Sequence, residues 1–147
     1  GMETALRRDL ELLSQNAGFA ATFRSTNPEN LSLPTEMEVG IYRIVHTALT
    51  NIVRHADAQR VDVALQTRPV RHGGCCVSVI IQDDGKGFDV DAVLAGPVEG
   101  RFGLLSMQER ARLMGGEVTV ESIIGEGSSV LIEVTKADWP RTAQTTS

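Results

Sequence analysis

Two aspartates and two glycines lie together where a predicted strand ends. The segment Asp83-Asp84-Gly85-Lys86-Gly87-Phe88 continues the strand Cys75–Asp83, in which apolar side chains alternate with others. Successive side chains of a strand point to opposite faces, and Asp83 shares its face with three apolar residues, Val77, Val79 and Ile81. A carboxylate in phase with a buried face is costly unless it has a partner. Asp83 is therefore a candidate ligand-binding residue, able to accept a hydrogen bond from an exocyclic amine such as that of adenine.

The glycines after Asp83 fit a ligand that the backbone must approach closely. Gly85 and Gly87 have no side chain to hold a flat ligand away, and they accept backbone dihedrals that are closed to other residues. Asp-Gly is also a common turn pair, so an ordinary turn is an alternative. A calcium loop is a weaker alternative, because Leu94 occupies the position at which such a loop carries its glutamate.

A second group of polar residues lies along one edge of a predicted helix, roughly Thr35–Ala56. The polar residues recur at helical intervals and are Thr47, Asn51, Arg54 and His55. The opposite side is a continuous apolar stripe of Met37, Ile41, Ile44, Val45, Ala48, Leu49, Ile52, Val53 and Ala56. Two interpretations fit this pattern: a core helix with a solvated face, or a helix that presents amide oxygens and cationic groups to a ligand.

Two further glycine segments follow along the chain. Gly103 opens a predicted helix, and the free N–H groups of a helix start attract an anion. The segment Gly125-Glu126-Gly127-Ser128 joins two predicted strands. Each has an ordinary alternative, because glycine begins many helices for packing reasons and the second segment could be a plain hairpin turn.

The elements that must position these residues indicate the fold class. Strands paired as hairpins, with helices between them, predict an α/β (α+β) two-layer sandwich with a mixed sheet of about five strands and three main helices on one face. The last two strands are joined by a turn too short for a parallel crossover, which disfavours a doubly wound sheet. Residues 89–100 are predicted to be irregular and mobile. The other predicted segments are helices over 3–16, 35–56 and 103–114, strands over 18–25, 60–67, 75–83, 117–122 and 128–136, and a turn at 27–30.

Composition bounds the classes of partner. The chain has 147 residues, of which 41% are hydrophobic and 22% charged, as expected for one globular domain. Its net charge of -5 gives no electrostatic case for nucleic acid or an anionic membrane as a partner. No apolar run approaches the length of a membrane span. The adjacent Cys75 and Cys76 suit neither a disulfide nor a metal site, and we expect them to be reduced in a cytoplasmic setting.

Taken in order, four motifs resemble one known family. The motifs are Asn51 with His55-Ala56, Asp83-x-Gly85-x-Gly87, Gly103-Leu104-x-x-Met107-x-x-Arg110 and Gly125-x-Gly127-Ser128. Their order and spacing resemble the ATP-binding catalytic (HATPase) domain of the two-component sensor histidine kinases, which shares the Bergerat fold with gyrase and MutL. The phrasing around Tyr42-Arg43-Ile44-Val45 and Met107-x-Glu109-Arg110 looks like the nitrate-sensor and desaturase-regulator branch. The resemblance covers about residues 5–136.

The resemblance implies a phosphate end and an adenine end. Asn51 would ligate Mg²⁺ through its amide oxygen, and Arg54 and His55 would approach the phosphates. Gly103 and Leu104 would close a lid over the phosphates. At the other end Asp83 would hold the adenine amine, with a wall and a support built from Gly85, Gly87, Gly125, Gly127 and Ser128.

The implied function is binding of Mg-ATP and donation of the γ-phosphoryl group to a histidine on a separate domain, in two-component signal transduction. The catalytic positions would be Asn51, Arg54 and that of Thr47, where the family usually has an acidic residue. Threonine is no strong metal ligand and carries no charge, whereas phosphoryl transfer depends on positioning and charge neutralisation. Two alternatives are a degenerate nucleotide-sensing or partner-binding module that has lost transfer, and an anti-sigma-type serine kinase on the same fold.

The resemblance also implies what surrounds the domain. Residues 1–17 would form a helix leading in from a dimerisation region, residues 18–137 the ATP-binding catalytic domain, and residues 138–147 a polar tail. None of His46, His55 and His72 has the helical-hairpin context of a phosphoacceptor. The expected partners are therefore the parent protein's own dimerisation and phosphoacceptor domain and a cognate response regulator. The expected location is the cytoplasm.

Overall fold

The fold is that of a computed structural model, described over residues 1–27 and 32–136, with the backbone only at positions 72 and 98–102. Helices and strands alternate irregularly along the chain. In order they are α1 (Met2–Ala17), β1 (Ala20–Thr26), α2 (Thr35–His55), β2 (Arg60–Pro69), β3 (Cys75–Asp83), α3 (Val90–Ala95), α4 (Val98–Leu113), β4 (Gly116–Ile123) and β5 (Gly127–Lys136). A single 3-10 turn, Arg71–Gly73, lies between β2 and β3.

The five strands form one mixed sheet in the order β1-β2-β3-β5-β4. β1 and β2 are parallel, and all other neighbouring strands are antiparallel. The register places Ile81 of β3 between Val63 of β2 and Val130 of β5, and all three side chains are buried. Because side chains alternate along a strand, the same buried face continues to Asp83. The predicted two-layer architecture with a five-stranded mixed sheet is confirmed.

The longest helix, α2, lies between α1 and α4 and contacts β3. Its predicted apolar stripe is buried at Met37, Ile41, Ile44, Val45, Ala48, Leu49 and Ile52. Val53 belongs to the same predicted stripe but is 39% exposed. Successive residues of a helix are about 100° apart, so Val53 lies beyond the arc that Leu49 and Ile52 already fill.

Helices α2 and α4 run antiparallel, and a glycine lies at each end of their contact. A Cβ on Gly103 would stand 3.1 Å from Asn51 Nδ2, and a Cβ on Gly40 would stand 2.3 Å from Met114 Sδ. The contacts lie at residues 51 and 40 of α2, at residue 103 of α4 and at Met114, which directly follows α4, so eleven residues separate them on both sides. That separation is about 16 Å at 1.5 Å per residue. The two glycines allow the helices to approach closely over three turns.

The segment predicted to be irregular is mostly helical. The Asp89 carboxylate caps α3 and accepts a hydrogen bond from the Ala92 N–H at 3.1 Å. Apolar residues of α3 are partly buried against the core, at the helical spacing of Val90, Val93 and Leu94. One turn of this spacing is too short to distinguish a helix from a loop by periodicity. The prediction of an irregular segment over 89–100 is therefore wrong.

The prediction that Gly103 opens a helix is also wrong. α4 begins at Val98, directly after Pro97, so Gly103 lies in its second turn. Only the first four N–H groups of a helix lack an intrahelical acceptor, and the N–H of Gly103 is not among them. Proline is common where helices start, because it has no N–H to leave unsatisfied. Pro97 was therefore the better signal for the start of α4.

Helix α1 belongs to the same core as the sheet. Its buried residues are Met2, Leu6 and Leu10, and Gly18, which has a φ of 82°, caps its C-terminal end. The chain then enters β1 two residues later than predicted. No helix within the described residues is both long and apolar enough to cross a membrane. The predicted tail at 138–147 and residues 28–30 of the predicted turn lie outside the described residues.

Replacing Ile44 by alanine should test the position of α2. Ile44 is fully buried, so we expect the free energy of unfolding to fall by about 2–5 kcal/mol through lost burial and a residual cavity. Val53→Ala, on the exposed side of the same helix, is the matched control and should change it by about 0.5 kcal/mol or less. Urea denaturation followed by circular dichroism measures both. Equal losses in the two variants would contradict the burial of α2.

Candidate functional site

Asp83 is the last residue of β3 and shares the buried face of that strand. The residue is only 8% exposed, and its carboxylate accepts a hydrogen bond from the Gly85 N–H at 2.8 Å. Burial raises the pKa of the Asp83 carboxyl, and the charge of Asp84 raises it further, whereas the amides of Gly85 and Ser128 act in the opposite direction. The net pKa is raised, because desolvation is the largest cause. A donor brought by a ligand would replace part of the hydration that this carboxylate has lost.

Three glycines fix the backbone around Asp83 with no room for a side chain. A Cβ on Gly85, Gly87 or Gly127 would stand only 2.1–2.2 Å from a carbonyl oxygen of another segment. The oxygens belong to Ala56 for Gly85, to Ile123 for Gly87 and to Asp83 for Gly127. Since all three are backbone atoms, no side-chain rotation could relieve the clash. These glycines were expected to let a ligand approach closely, and the structure shows that they let other segments of the protein's own backbone approach closely.

The loop after β3 is tied to the connection between α2 and β2. The N–H of Lys86 donates to the carbonyl oxygen of Ala56 at 2.8 Å. The Asp84 Oδ1 accepts hydrogen bonds from the N–H groups of Gln59 and Arg60, both at 2.9 Å. The sequence pattern only indicated that Asp84 points away from Asp83. It carried no signal for these partners, because they come from a distant part of the chain.

On its other side the same loop is tied to the turn between β4 and β5. Gly125 donates its N–H to the carbonyl oxygen of Lys86 at 2.7 Å, and Phe88 donates its N–H to Ser122 Oγ at 2.8 Å. The Ser122 and Ser128 hydroxyls are hydrogen-bonded at 2.8 Å, directly opposite each other on the two strands. Sequence reasoning missed Ser122. Counting outward from the predicted turn would have found it as the cross-strand partner of Ser128.

The polar edge of α2 forms a second group. Asn51 is half-buried against Gly103, and Arg54 and His55 are exposed in the last turn of the helix. The Thr47 hydroxyl donates to the carbonyl oxygen of Arg43 at 3.0 Å, so it is bonded within its own helix. The edge therefore presents one amide and two basic side chains, and no carboxylate from these positions.

Two predicted site residues take other places. Leu104 is buried in the hydrophobic core at 6% exposure, where it anchors α4. Gly125 lies at the tip of the β4–β5 turn with a φ of 87° and open space where a Cβ would stand. Its left-handed backbone conformation explains the glycine through the turn itself.

The Asp83 group and the α2 edge are joined through the end of α2. Ala56, which packs on Gly85, follows Asn51 by five residues, or about 8 Å along the helix axis. A ligand spanning the two groups would thus meet an acceptor at one end and an amide with basic side chains at the other. That polarity suits a base linked to phosphates.

A cavity of about 390 Å³ lies elsewhere, at the far end of the contact between α2 and α4. Residues that line it include Val39, Arg43, Arg110 and Leu113. None of the residues around Asp83 or Asn51 lines it. We locate the candidate site by its chemistry, because the cavity brings together none of the predicted ligand-binding groups.

Comparison with protein families decides the relationship. The family described as histidine kinase-, DNA gyrase B- and HSP90-like ATPase matches residues 36–138. The chain belongs to this ATPase family. Family membership implies ATP binding. The matched residues include nearly all of α2, the loop after β3, α4 and the β4–β5 turn.

Curated relatives of the ATPase domain include histidine kinases. An uncharacterized sensor-like histidine kinase of Chloroflexus aurantiacus is 35% identical over 136 residues, which are 91% of this chain and 22% of the relative. The signal transduction histidine-protein kinase/phosphatase DegS of Brevibacillus brevis is 26% identical over 134 residues, which are 91% of this chain and 32% of the relative. The chain thus spans about a fifth to a third of the length of these relatives.

Solved structures confirm the fold of the ATPase domain. The histidine kinase domain of the Erythrobacter litoralis EL346 blue-light activated histidine kinase matches 99% of this chain and 63% of its own, with a TM-score of 0.62 and 23% identity. A second structure of the same kinase matches 99% of this chain and 43% of its own, with a TM-score of 0.61 and 22% identity. At these identities the likeness concerns the fold.

Asp83→Asn should change how stability depends on pH. Because the folded-state pKa of Asp83 is raised, the parent loses stability from this group as pH rises from the unfolded-state pKa through the folded-state pKa. Asparagine stays neutral and keeps the acceptor for the Gly85 N–H. The free energy of unfolding of the variant minus that of the parent should therefore be larger at about pH 7.5 than at about pH 4.

Urea denaturation at both pH values measures this difference. Glu126→Gln, which removes an exposed carboxylate from the nearby turn, is the control for the loss of one negative charge. A difference that is flat or shrinks as pH rises would contradict an ionised Asp83 held in a desolvated position.

Proposed function

We propose that the chain binds Mg-ATP between the Asp83 group and the α2 edge and donates the γ-phosphoryl group to a histidine on a separate phosphoacceptor domain. The observation that carries the proposal is the buried Asp83 carboxylate, held by the Gly85 amide at 2.8 Å and joined through Ala56 to the helix that bears Asn51. Family membership and the histidine kinase relatives support it. The parent would act in two-component signal transduction.

At the adenine end, the chain supplies one acceptor and a flat backbone wall. Asp83 accepts a hydrogen bond from the exocyclic amine, and Gly85 and Gly87 form the wall beside the base. Ser128 supports this end with a hydroxyl that Ser122 orients at 2.8 Å. Gly127 keeps the backbone close, since it packs directly on Asp83, and Gly125 ties the turn to this end through its N–H, which donates to the carbonyl oxygen of Lys86.

At the phosphate end, Arg54 and His55 approach the phosphates from the last turn of α2, where both are exposed. Among the described residues no three His, Cys, Asp or Glu side chains form a group that could hold a metal ion. Mg²⁺ takes oxygen ligands and is usually bound through one or two protein groups, most often carboxylates, together with substrate phosphates and waters. The amide oxygen of Asn51 fits that mode. The ion would neutralise charge on the phosphates, and Asn51 would fix its position.

α4 contributes through packing. Gly103 leaves the space in which the Asn51 amide lies, and Leu104 anchors the helix in the core. Closure of this helix and of α3 over the phosphates is the role we propose for the region between β3 and β4. The proposed partners are the parent's dimerisation and phosphoacceptor domain and a response regulator, in the cytoplasm.

The position of Thr47 supports a second candidate function. Threonine has no carboxylate to orient Mg²⁺ or to act as a base, and the Thr47 hydroxyl already donates to the carbonyl oxygen of Arg43. A nucleotide-sensing or partner-binding module without transfer would tolerate that loss. We favour a working kinase of the nitrate-sensor and desaturase-regulator branch, in which an acidic residue beside the phosphoacceptor histidine supplies the base.

Asp83→Asn should weaken ATP binding while leaving the fold intact. The variant loses a charged acceptor for the adenine amine, so we expect a loss of about 1–3 kcal/mol in binding free energy. Isothermal titration calorimetry with ATP and Mg²⁺ measures it, with Glu126→Gln as the control. Unchanged affinity would show that Asp83 does not hold the base.

Thr47→Glu in the full-length parent should raise the rate of phosphotransfer. A positioned catalytic group is typically worth about a hundredfold to ten-thousandfold, and we expect a gain of about tenfold to a thousandfold. Thr50→Glu is the matched control, because Thr50 likewise donates its hydroxyl within α2, to His46 at 2.8 Å. Transfer from radiolabelled ATP is the measurement. If the unmutated parent transfers phosphate as fast as the Thr47→Glu variant, this position needs no carboxylate.

A further inference from the structure

Asp84 has a role that contact with the nucleotide does not explain. It follows Asp83 directly, yet it is exposed and points away from the buried face. Its Oδ1 holds the N–H groups of Gln59 and Arg60, both at 2.9 Å. We propose that Asp84 is a positioning residue, which fixes the α2–β2 connection and thereby sets the phosphate-facing end of α2 relative to Asp83. This inference rests on the proposed function.

The connection that Asp84 holds is short and has an unusual backbone. Residues 56–59 join α2 to β2, and Asp57 among them has a φ of 50°, in the left-handed region that non-glycine residues seldom adopt. Such a conformation persists only when surrounding contacts determine it. The two hydrogen bonds to Asp84 lie at the β2 side of this turn. They are formed by a single exposed oxygen from a loop distant in sequence.

The hydrogen bonds continue from the connection to α2 itself. Asp84 also donates its N–H to the carbonyl oxygen of Arg60 at 3.3 Å, and Lys86 donates to that of Ala56 at 2.8 Å. Ala56 follows His55 directly, so residues 84–86 are hydrogen-bonded both to the end of α2 and to the start of β2. A shift of residues 84–86 relative to the end of α2 would move Arg54 and His55, because they lie in the last turn of that helix.

The Asp83 carboxylate is oriented by contacts other than the two hydrogen bonds that the Asp84 side chain accepts. Asp83 is held in the ladder between β2 and β5, and its carboxylate is oriented by the Gly85 amide. Gly127 packs against it from β5. Loss of the Asp84 side chain should therefore disturb binding of the phosphates and leave binding of the base nearly intact. A residue with only a general structural role would affect both alike.

Charge must be separated from hydrogen bonding in any test. Asp84 carries a negative charge directly after Asp83 in the chain, and this charge raises the pKa of Asp83. Asparagine and alanine at position 84 remove that charge equally. Only asparagine keeps an oxygen that can accept from Gln59 and Arg60. The comparison of the two neutral variants thus isolates the two hydrogen bonds.

Calorimetric titration of the whole chain with Mg-ATP and with adenosine tests the inference. We expect Asp84→Ala to bind ATP about tenfold more weakly than Asp84→Asn, as two lost hydrogen bonds allow, and to bind adenosine within about twofold of it. Asp62→Ala is the matched control, since Asp62 on β2 also accepts two hydrogen bonds, from Thr22 and Arg60. It should leave both affinities unchanged.

Other outcomes separate the possible failures. Equal ATP affinities for Asp84→Ala and Asp84→Asn, or equal losses for ATP and adenosine, would overturn the positioning role. A parent chain that binds neither ligand would instead overturn the proposed function. Should Asp84→Ala fail to fold, Asp84→Glu gives the same test against the parent. It keeps the charge but moves the oxygens by one methylene, and should weaken ATP binding alone.

Discussion

Around Asp83 three segments of the chain meet backbone to backbone, and they can do so only where no side chain intervenes. The loop after β3 packs on the end of α2 through Gly85, and on the β4–β5 turn through Gly87 and Gly127. The contacted atoms are carbonyl oxygens, which cannot rotate away as a side chain would. A methyl group at any of these positions would push whole elements apart. The relative placement of the adenine end and of α2 therefore depends on this contact.

α2 converts that contact into a site with two ends. Its buried side, which includes the fully buried Ile41, Ile44 and Val45, fixes the helix in the core. Its polar edge can then present Asn51 at a defined place, because sites built on rigid elements hold their geometry better than sites on loops. Gly103 of α4 completes the arrangement by leaving room for the Asn51 amide. Core packing and site geometry are thus properties of the same helix.

The parts that could be predicted from sequence are those set by local periodicity. The period of two in β3 indicated that Asp83 follows the buried face, and its exposure of 8% agrees. The period of α2 likewise predicted its buried stripe up to Ile52. Helix α3 was not predicted, because one turn of Val90, Val93 and Leu94 carries too little periodic signal. The start of α4 was placed at Gly103, although Pro97 marks it.

The site was predictable as a set of residues but not as a set of contacts. Motif spacing singled out Gly85 and Gly127, and the reason for glycine at each is a carbonyl oxygen supplied by a remote segment. The partners of Asp84 and Ser122 depend in the same way on how loops and strands meet. Leu104 belonged to a motif, yet its side chain lies in the core. Which contacts these residues make depends on tertiary packing, and the local sequence pattern carries no information about that packing.

Nuclear magnetic resonance spectra of the ¹⁵N-labelled chain, titrated with Mg-ATP, would test the nucleotide site most directly. Binding between Asp83 and α2 predicts saturable shift changes at the amides of Gly85, Gly87 and Gly127 and at the side-chain amide of Asn51. The far end of the α2–α4 contact, at Gly40 and Leu113, should change little. Shift changes concentrated at that far end, or none at saturating nucleotide, would contradict ATP binding at this site.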